Sequence, residues 1–460
     1  MNILLSKIND SYTDIITLRK TSKVALSESP LLRYFTFSSL YGAQGIPEGL
    51  TYFAIPAWMA MQGKSPTEIG SFIGVIGIPW SFKILIAPIM DRFTFLPMGR
   101  KRPWILIGQF GLVISLLSAS LINDPLNNLS LLMAAGFFIS FFGAFQDVAV
   151  DGMAIDIVPI NEQARANGLM WGSKTIGISL SLVTCTWIIN TFGFHYAAVL
   201  LAFIVACIFV IPLLLRENIG EKILPWSKGE ACEKSKEMQV HSLKMIFQNL
   251  IKVFILPTSL IMGVAVFFIN IGNGLMDTLL PVFTIQKIGW TDSSFSQVMA
   301  IANITAGLLG MFVGGALVDF FGKIRMLTIY LILLIVLTGS LVVFKMYWSN
   351  PSFIPAYIFL YNTLYTFLQI AIFATAMELC WKRISATQFT LYMAISNLGR
   401  ATGAGFLGEI KTFLVEWEYV ILVYTASAMI MLLLVVFLKT EKHLLRVNML
   451  ENRHSIHEIE

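Results

Sequence analysis

Apolar runs of about twenty residues recur along almost the whole chain, and they limit its folds more than any other feature. A helix needs ~20 apolar residues to cross a bilayer's hydrocarbon core. In lipid its backbone groups must be paired within the segment. The runs predict spans at 33–61, 68–90, 104–122, 129–157, 166–190, 196–215, 256–284, 295–320, 326–344, 354–380, 389–410 and 419–438. Composition agrees: 56% of residues are hydrophobic and 13% charged, against about 25% charged in soluble domains. The expected fold class is an all-α membrane protein with twelve transmembrane helices.

An even number of spans puts both termini on one side. With the N-terminus taken as cytoplasmic, Lys and Arg number 25 on that side and 4 (Lys64, Lys287, Lys345, Lys411) on the other. The positive-inside rule then predicts cytoplasmic termini in the cytoplasmic (inner) membrane. The net charge of +5 is spread over loops and does not indicate a nucleic-acid partner. Residues before span 1 hold no apolar core of signal-peptide length, so span 1 is expected to act as its own insertion signal. Cys185, Cys207, Cys232 and Cys380 lack paired spacing, which points to neither a disulfide framework nor a metal cluster. No cofactor is expected, and a monomer should suffice.

The expected organisation is a cytoplasmic segment 1–32, six spans over 33–215, a cytoplasmic linker 216–255, six spans over 256–438 and a cytoplasmic tail 439–460. Within the linker, 241–254 places Leu243, Ile246, Phe247, Leu250, Ile251 and Phe254 at steps of three and four, with Lys244 and Lys252 off the stripe. That pattern reads as a helix lying in the membrane interface; the plainer alternative is an extension of span 7.

The two sets of six echo each other. Asp91 precedes Gly99-Arg100-Lys101-Arg102, and Asp319 precedes Gly322-Lys323-Ile324-Arg325, 228 positions on. Pro56 and Pro281 end spans 1 and 7 at a similar offset. Such duplication in one orientation relates the halves by an axis along the membrane normal, with a solute site between them near the midplane.

The Asp-then-Gly-then-basic loop in both halves resembles the signature of the major facilitator superfamily, with Ala87 where the pattern has Gly and Phe93–Pro97 lengthening the first copy. A narrower set is Gln44-Gly45-Ile46-Pro47, Ser81-Phe82-Lys83 with Ala87-Pro88 and Asp91, Gly99 to Trp104, and Gln146-Asp147-Val148-Ala149-Val150-Asp151-Gly152. It is similar to the branch holding AmpG-type muropeptide permeases and acetyl-coenzyme A transporters. The resemblance covers spans 1–5 at branch level and the second half at superfamily level. It implies anionic substrates, and contact between halves through spans 2, 5, 8 and 11. The glycine pairs Gly70/Gly74, Gly168/Gly172, Gly310/Gly314 and Gly399/Gly403 would suit that contact; Gly45/Gly49 is a fifth such pair.

Ionisable residues within spans are costly and are functional candidates by default. Asp147 and Asp151 share one face of span 4, beside Gln146. Two carboxylates there cannot both ionise cheaply, so one can carry a proton; the alternative is a structural pair with Lys83. Glu48 lies mid-span beside Gly45, Pro47 and Gly49, where freed carbonyls and Gln44 could line a cavity. Asn270, Asn273 and Asp277 form the matching polar stripe in span 7. Asp277 joins Asp147 and Asp151 as a proton-coupling candidate; helix–helix hydrogen bonding is the alternative. Lys83, Lys174 and Arg400 come from spans 2, 5 and 11. Converging, they would hold an anionic solute; otherwise they pair with Asp147, Asp151 or Asp277. Asp91, Arg92, Arg100, Lys101, Arg102, Asp319, Gly322, Lys323 and Arg325 are expected to form a cytoplasmic gate of ion pairs, or else simply to fix topology. Asp156, Glu378 and Glu409, near span ends, read as interfacial.

These features together predict a secondary transporter moving an anionic organic solute with protons, a muropeptide first and an acyl-coenzyme A second. A drug or metabolite exporter is the alternative, and an intramembrane enzyme or a receptor ranks below both. The chain has no G-x-x-x-x-G-K-[ST], H-E-x-x-H or G-x-S-x-G, which argues against ATP-driven transport and against hydrolysis.

Overall fold

Each long apolar run forms a helix, because lipid offers its backbone no other hydrogen-bond partner. The computed structural model describes residues 25–237, 243–381 and 385–457. The helices are α1 (Pro30–Glu48, continued through a π-turn Gly49–Ala54 into Ile55–Met61), α2 (Pro66–Arg92), α3 (Arg102–Ser120), α4 (Leu129–Ile157), α5 (Ile160–Thr191) and α6 (Phe194–Leu214). They continue as α7 (Pro257–Lys287), α8 (Asp292–Phe321), α9 (Lys323–Val343), α10 (Phe353–Glu378), α11 (Ser385–Gly405, then Leu407–Phe413) and α12 (Trp417–Val435). All lie within a few residues of the expected spans.

Ten of these helices are long and apolar enough to cross a membrane by length and composition. The other two, α1 and α11, are the most polar rods; their polar side chains include Gln44, Glu48, Asn397 and Arg400, described below. Local signals set the starts. Ser29 caps α1 ahead of Pro30. Ser65 and Glu68 form a reciprocal capping box on α2, and Thr291 caps α8. Each cap is worth about 1 kcal/mol.

The packing repeats with the sequence. Helix α1 lies along α5 as α7 lies along α11; α3 packs on α4 and α6 as α9 packs on α10 and α12. Between the two sets, α2 meets α11 and α5 meets α8. Gly70 and Gly74 sit against Ala404 and Gly405 at the first of those seams, and Gly168 and Gly172 face Met311 at the second. Two glycine pairs depart from expectation. Gly310/Gly314 packs against Thr366 and Ile370 of α10, and Gly399/Gly403 against Phe267 and Ile271 of α7. Both therefore serve contacts inside the second set. A small-residue face permits close approach without choosing the neighbour.

The loops 62–65, 192–193, 288–291 and 414–416 share one face, here called distal; residues 25–29, the linker and the tail share the other, the terminal face. Hydrogen bonds tie the two sets at the distal face. Gln286 Nε2 donates to the Ala60 and Lys64 carbonyls at 3.1 and 2.8 Å. Asn190 donates to Asp292, and Thr186 meets Ser296 at 2.8 Å.

On the terminal face a helix Leu243–Phe254 is separate from α7, since Ile255 and Leu256 break it before Pro257. Part of this helix meets protein: Leu250 and Val253 pack with Trp381 and with Val447 of the tail helix Thr440–His457, while Ile251 stays exposed. His241, Lys382, Arg383 and the basic residues before position 25 lie outside the described residues.

Candidate functional site

Close helix approach builds the centre of the molecule. A side chain at Gly45 would collide with the Lys174 carbonyl of α5, and one at Gly49 with that of Ile178. Contact at that range sets Glu48, one turn beyond Gly45, opposite Lys174, with Nζ and Oε1 2.8 Å apart. The second set repeats the device. Gly274 of α7 abuts the Arg400 carbonyl, and Asp277, three residues on, accepts from Arg400 Nε at 2.6 Å. The structure therefore gives Lys174 a partner, Glu48, that sequence reasoning did not name.

A third pair sits lower in the first set. Lys83 of α2 is bonded to Asp147 of α4, both almost fully buried. Gln44 Nε2 donates to the same Asp147, and the Tyr41 hydroxyl donates to Asp151. The turn Ile78–Phe82 tightens to a 3₁₀ helix after Gly77, with Pro79 inside it. It places Trp80 beside the cations: its ring lies 4.8 Å from Lys83 Nζ and 5.2 Å from Lys174 Nζ. Arg400 lies over Tyr52 at 5.1 Å. Such contacts contribute about 0.5–2 kcal/mol each when desolvated.

These groups enclose a cavity of about 300 Å³ between the two sets. Glu48, Lys83, Asp147, Asp151, Lys174, Asn270 and Arg400 all line it, so three cations and three carboxylates proposed from sequence converge. Arg400 is the most open cation, its side chain 32% exposed against 12% for Lys174 and 5% for Lys83. Among the described residues the wall also contains Tyr41, Tyr52, Trp80, Trp171, Tyr365 and Gln369, which sequence reasoning missed. For Tyr41, Tyr52, Trp80 and Trp171 the only sequence signal was an aromatic one or two turns from a charge, which is common in apolar helices; Tyr365 and Gln369 stand in a run without charges and gave none.

Four candidates stand behind the wall. Gln44 is spent on Asp147. Gln146, one residue before Asp147 and so about 100° away around the helix, donates to the Leu40 carbonyl and packs on Gly108. Asn273 is fully buried and donates to Asn270 at 3.2 Å. Asp277 reaches the cavity only through Arg400. The Pro47 carbonyl, beside the π-turn, accepts from the Thr51 hydroxyl at 2.9 Å and is not free to line the cavity.

The expected gate is also placed differently. Asp91 binds Arg100 at 2.8 Å and Lys101 at 2.5 Å, and Arg100 binds Asp156 at 2.8 Å. Arg102 donates to the carbonyls of Pro212, Leu213, Lys222 and Ile223. Lys323 pairs with Glu378 of α10 at 3.0 Å. Each of these contacts stays on one side of the seam between the two sets. Asp319 and Arg325 are exposed, Gly322 makes the left-handed turn into α9, and Arg92 lies over the Phe93 ring. In this conformation the basic loops brace their own halves, because the carboxylates that Arg100 and Lys101 reach among the described residues, Asp91 and Asp156, belong to α2 and α4 of the same half.

Beside Arg102, Glu217 accepts from the backbone N–H groups of Arg100 and Lys101 at 2.8 and 2.7 Å, and from that of Arg102. Gly99, at φ 105°, leaves room for it. Burial, with Glu221 adding, pushes the Glu217 carboxyl up to about 7 against the pull of those donors.

Comparison with known proteins gives this geometry a family. The model described as Major Facilitator Superfamily matches residues 37–404. The anhydromuropeptide permease of Escherichia coli (strain K12) is 25% identical over 413 residues, covering 88% of this chain and 79% of that protein. Putative transporter AmpG 4 of Rickettsia conorii is 25% identical over 435 residues, covering 89% and 97%. Among solved structures, the nucleoside transporter NupG aligns with a TM-score of 0.64 at 14% identity, covering 88% of this chain and 98% of that one. A bacterial homolog of the human lysosomal transporter Spinster, inward-facing and unoccupied, aligns at 0.60 and 15%, covering 89% and 95%. With a family match over most of its length and the same helical architecture, this multi-pass membrane protein belongs to the major facilitator superfamily.

Proposed function

We propose that the chain is a secondary active transporter that moves an anionic organic solute across the cytoplasmic membrane by alternating access, coupled to protons. The observation that carries the reading is the central cavity, where Lys83, Lys174 and Arg400 from three helices each meet a carboxylate. An entering carboxylate or phosphate competes with Asp277 for the open guanidinium of Arg400, whose planar fork suits such groups. Trp80, Trp171 and Tyr365 offer flat apolar faces to the rest of the solute. A muropeptide-like solute is the first choice, supported by similarity to the anhydromuropeptide permease; an acyl-coenzyme A is the second.

Asp151 is the proton carrier in this reading. Asp147 holds Lys83, whereas the hydrogen-bond partner of Asp151 is the phenol of Tyr41, so Asp151 can take a proton without breaking an ion pair. The bundles 33–215 and 256–438 rock against each other. Opening to the distal side requires loss of the Gln286, Asn190 and Thr186 ties. The 25-to-4 bias of basic residues supports termini, linker and tail in the cytoplasm.

Uptake into proteoliposomes under an imposed proton gradient tests the function. Unmodified anhydromuropeptide should accumulate against its gradient, and Asp151→Asn should abolish the pH drive while solute exchange persists. Export of a neutral compound with no anion uptake would favour the exporter reading. Pair geometry alone would then explain the buried charges.

A further inference from the structure

A second cavity, of about 310 Å³, lies on the terminal face, away from the central one. It is bounded by the start of α7, the end of α12 and the tail helix. Lys439, Lys442 and Arg446 line it, and among the lining residues none is acidic. Three cations gathered without a counter-charge repel one another, and an anion between them relieves that repulsion.

Two further features point the same way. Helix α7 begins at Pro257 with Leu256, Pro257 and Thr258 in the cavity wall, so the positive end of a long helix faces the space. His443 is 2% exposed and also lines the cavity. Its Nε2 lies 2.8 Å from the Leu379 carbonyl, which can only accept, so Nε2 carries the hydrogen. Its Nδ1 is left buried with no hydrogen-bond partner in the described structure. Leaving such a nitrogen unpaired is costly; beside an anion the ring gains a second N–H that pairs it.

The rest of the wall selects the kind of anion. Leu256, Pro257, Ile261 and Phe437 give the cavity an apolar side. Phe437 and its neighbour Val436 are well exposed just past the end of α12. A free ion has no use for that surface, whereas a phospholipid sets its phosphate among cations and its glycerol and upper chain against apolar side chains. We propose that this cavity binds the headgroup phosphate of an anionic phospholipid from the leaflet on the terminal face. The inference rests on the membrane fold and is independent of what the central cavity carries.

The test is lipid binding to the purified full chain in maltoside detergent, followed by native mass spectrometry. Titration with dioleoyl-phosphatidylglycerol should load one lipid at well below the concentration needed for dioleoyl-phosphatidylcholine. The variant Lys439→Gln/Lys442→Gln/Arg446→Gln changes exposed side chains only, and its melting in lipid-free detergent should match the parent. It should lose on the order of a hundredfold in affinity, about fivefold per cation. Lys244→Gln/Lys252→Gln, basic residues of the same face outside the cavity, should bind as the parent does. The proposal is overturned if the triple variant keeps its lipid, if the Lys244/Lys252 variant loses as much, or if the parent shows no preference for the anionic lipid. Displacement of phosphatidylglycerol by millimolar inorganic phosphate would equally overturn it, since the occupant would then be a free anion.

Discussion

Whether Lys83 and Asp147 are structural braces or working parts of a transporter can be decided by a double-mutant cycle. Their side chains are 5% and 6% exposed, and Gln44 adds a further bond to the carboxylate. Asp147→Asn leaves the Lys83 ammonium buried without the carboxylate bonded to it. Lys83→Gln leaves the carboxylate to Gln44. Removing one partner of a buried pair costs about 3–5 kcal/mol, mainly from the stranded charge. An unfolding entropy of about 2.1 cal/mol/K per residue over 460 residues gives roughly 1 kcal/mol/K. Each single variant should therefore melt roughly 3–5 °C lower in detergent. The double variant Lys83→Gln/Asp147→Asn removes both charges and should regain most of that loss, with a coupling of about 2–3 kcal/mol or more. Proteoliposome uptake on the same four proteins completes the cycle. On the proposed reading the double variant is stable but inactive. A double variant that regains both stability and uptake reduces the pair to a brace. Single variants that melt like the parent refute the burial on which the estimate stands.

Arg400→Gln should weaken anion binding by about 2–5 kcal/mol, read by calorimetric titration; unchanged affinity removes Arg400 from the solute site. Gly274→Ala sets a methyl group against the Arg400 carbonyl, so it should cost about 1–3 kcal/mol or more and lower uptake with it. Gly315→Ala, with open space around its position, should melt at or slightly above the parent, and equal losses at both positions would refute the packing argument. Because the Glu217 carboxyl is pushed from 4.5 up to about 7, the folded chain holds that proton more tightly than the unfolded one. Its contribution to stability is therefore greatest below pH 4.5 and declines as pH climbs through about 7. Parent melting temperature should fall across that window relative to Glu217→Gln, and parallel profiles would contradict the assignment.

The sequence showed which residues matter more clearly than it showed their partners. A charge inside an apolar run stands out because its burial is expensive, which is why Glu48, Lys83, Asp147, Lys174, Asp277 and Arg400 could be named at once. Partner choice depends on which helices touch, and that is not local information. The sequence offers Lys174 the carboxylates of Asp147, Asp151 and Asp277, yet its partner is Glu48, because α5 lies along α1 with Gly45 between them. Neighbours in sequence also misled. Gln146 stands beside Asp147 in the chain but turns towards α1 and α3. The linker stripe at 243–254 was legible as amphipathic, but Leu250 and its neighbour Val253 are covered by Trp381 and Val447, far away in sequence. The basic loops were legible as paired motifs, yet Glu217, whose carboxylate takes three of their N–H groups, lies more than a hundred residues on.

The two central ion pairs explain why a duplicated bundle need not have duplicated roles. Glu48 follows Gly45 by three residues and Asp277 follows Gly274 by three, and in each half the glycine receives the backbone of the cation-bearing residue. The same steric device thus sets both pairs at matching places. What differs is the chemistry mounted on it. Arg400 presents a partly open guanidinium, whose planar fork suits a planar anion, while Lys174 is a more enclosed point charge flanked by Trp80 and Trp171. Beside Lys174 the first half adds Lys83, Asp147, Asp151 and Tyr41. On the proposed reading the solute's negative end belongs to the second half and proton exchange to the first. Anion arrival at Arg400 releases Asp277 in one bundle, and protonation of Asp151 changes the charge of the other. With Lys83, Lys174 and Arg400 set against Glu48, Asp147, Asp151 and Asp277, the ionised site carries one net negative charge; a monoanion raises it to two, and protonation of Asp151 returns it to one. On the proposed reading the proton therefore offsets the charge that the solute brings, which links the rocking motion to the simultaneous presence of both.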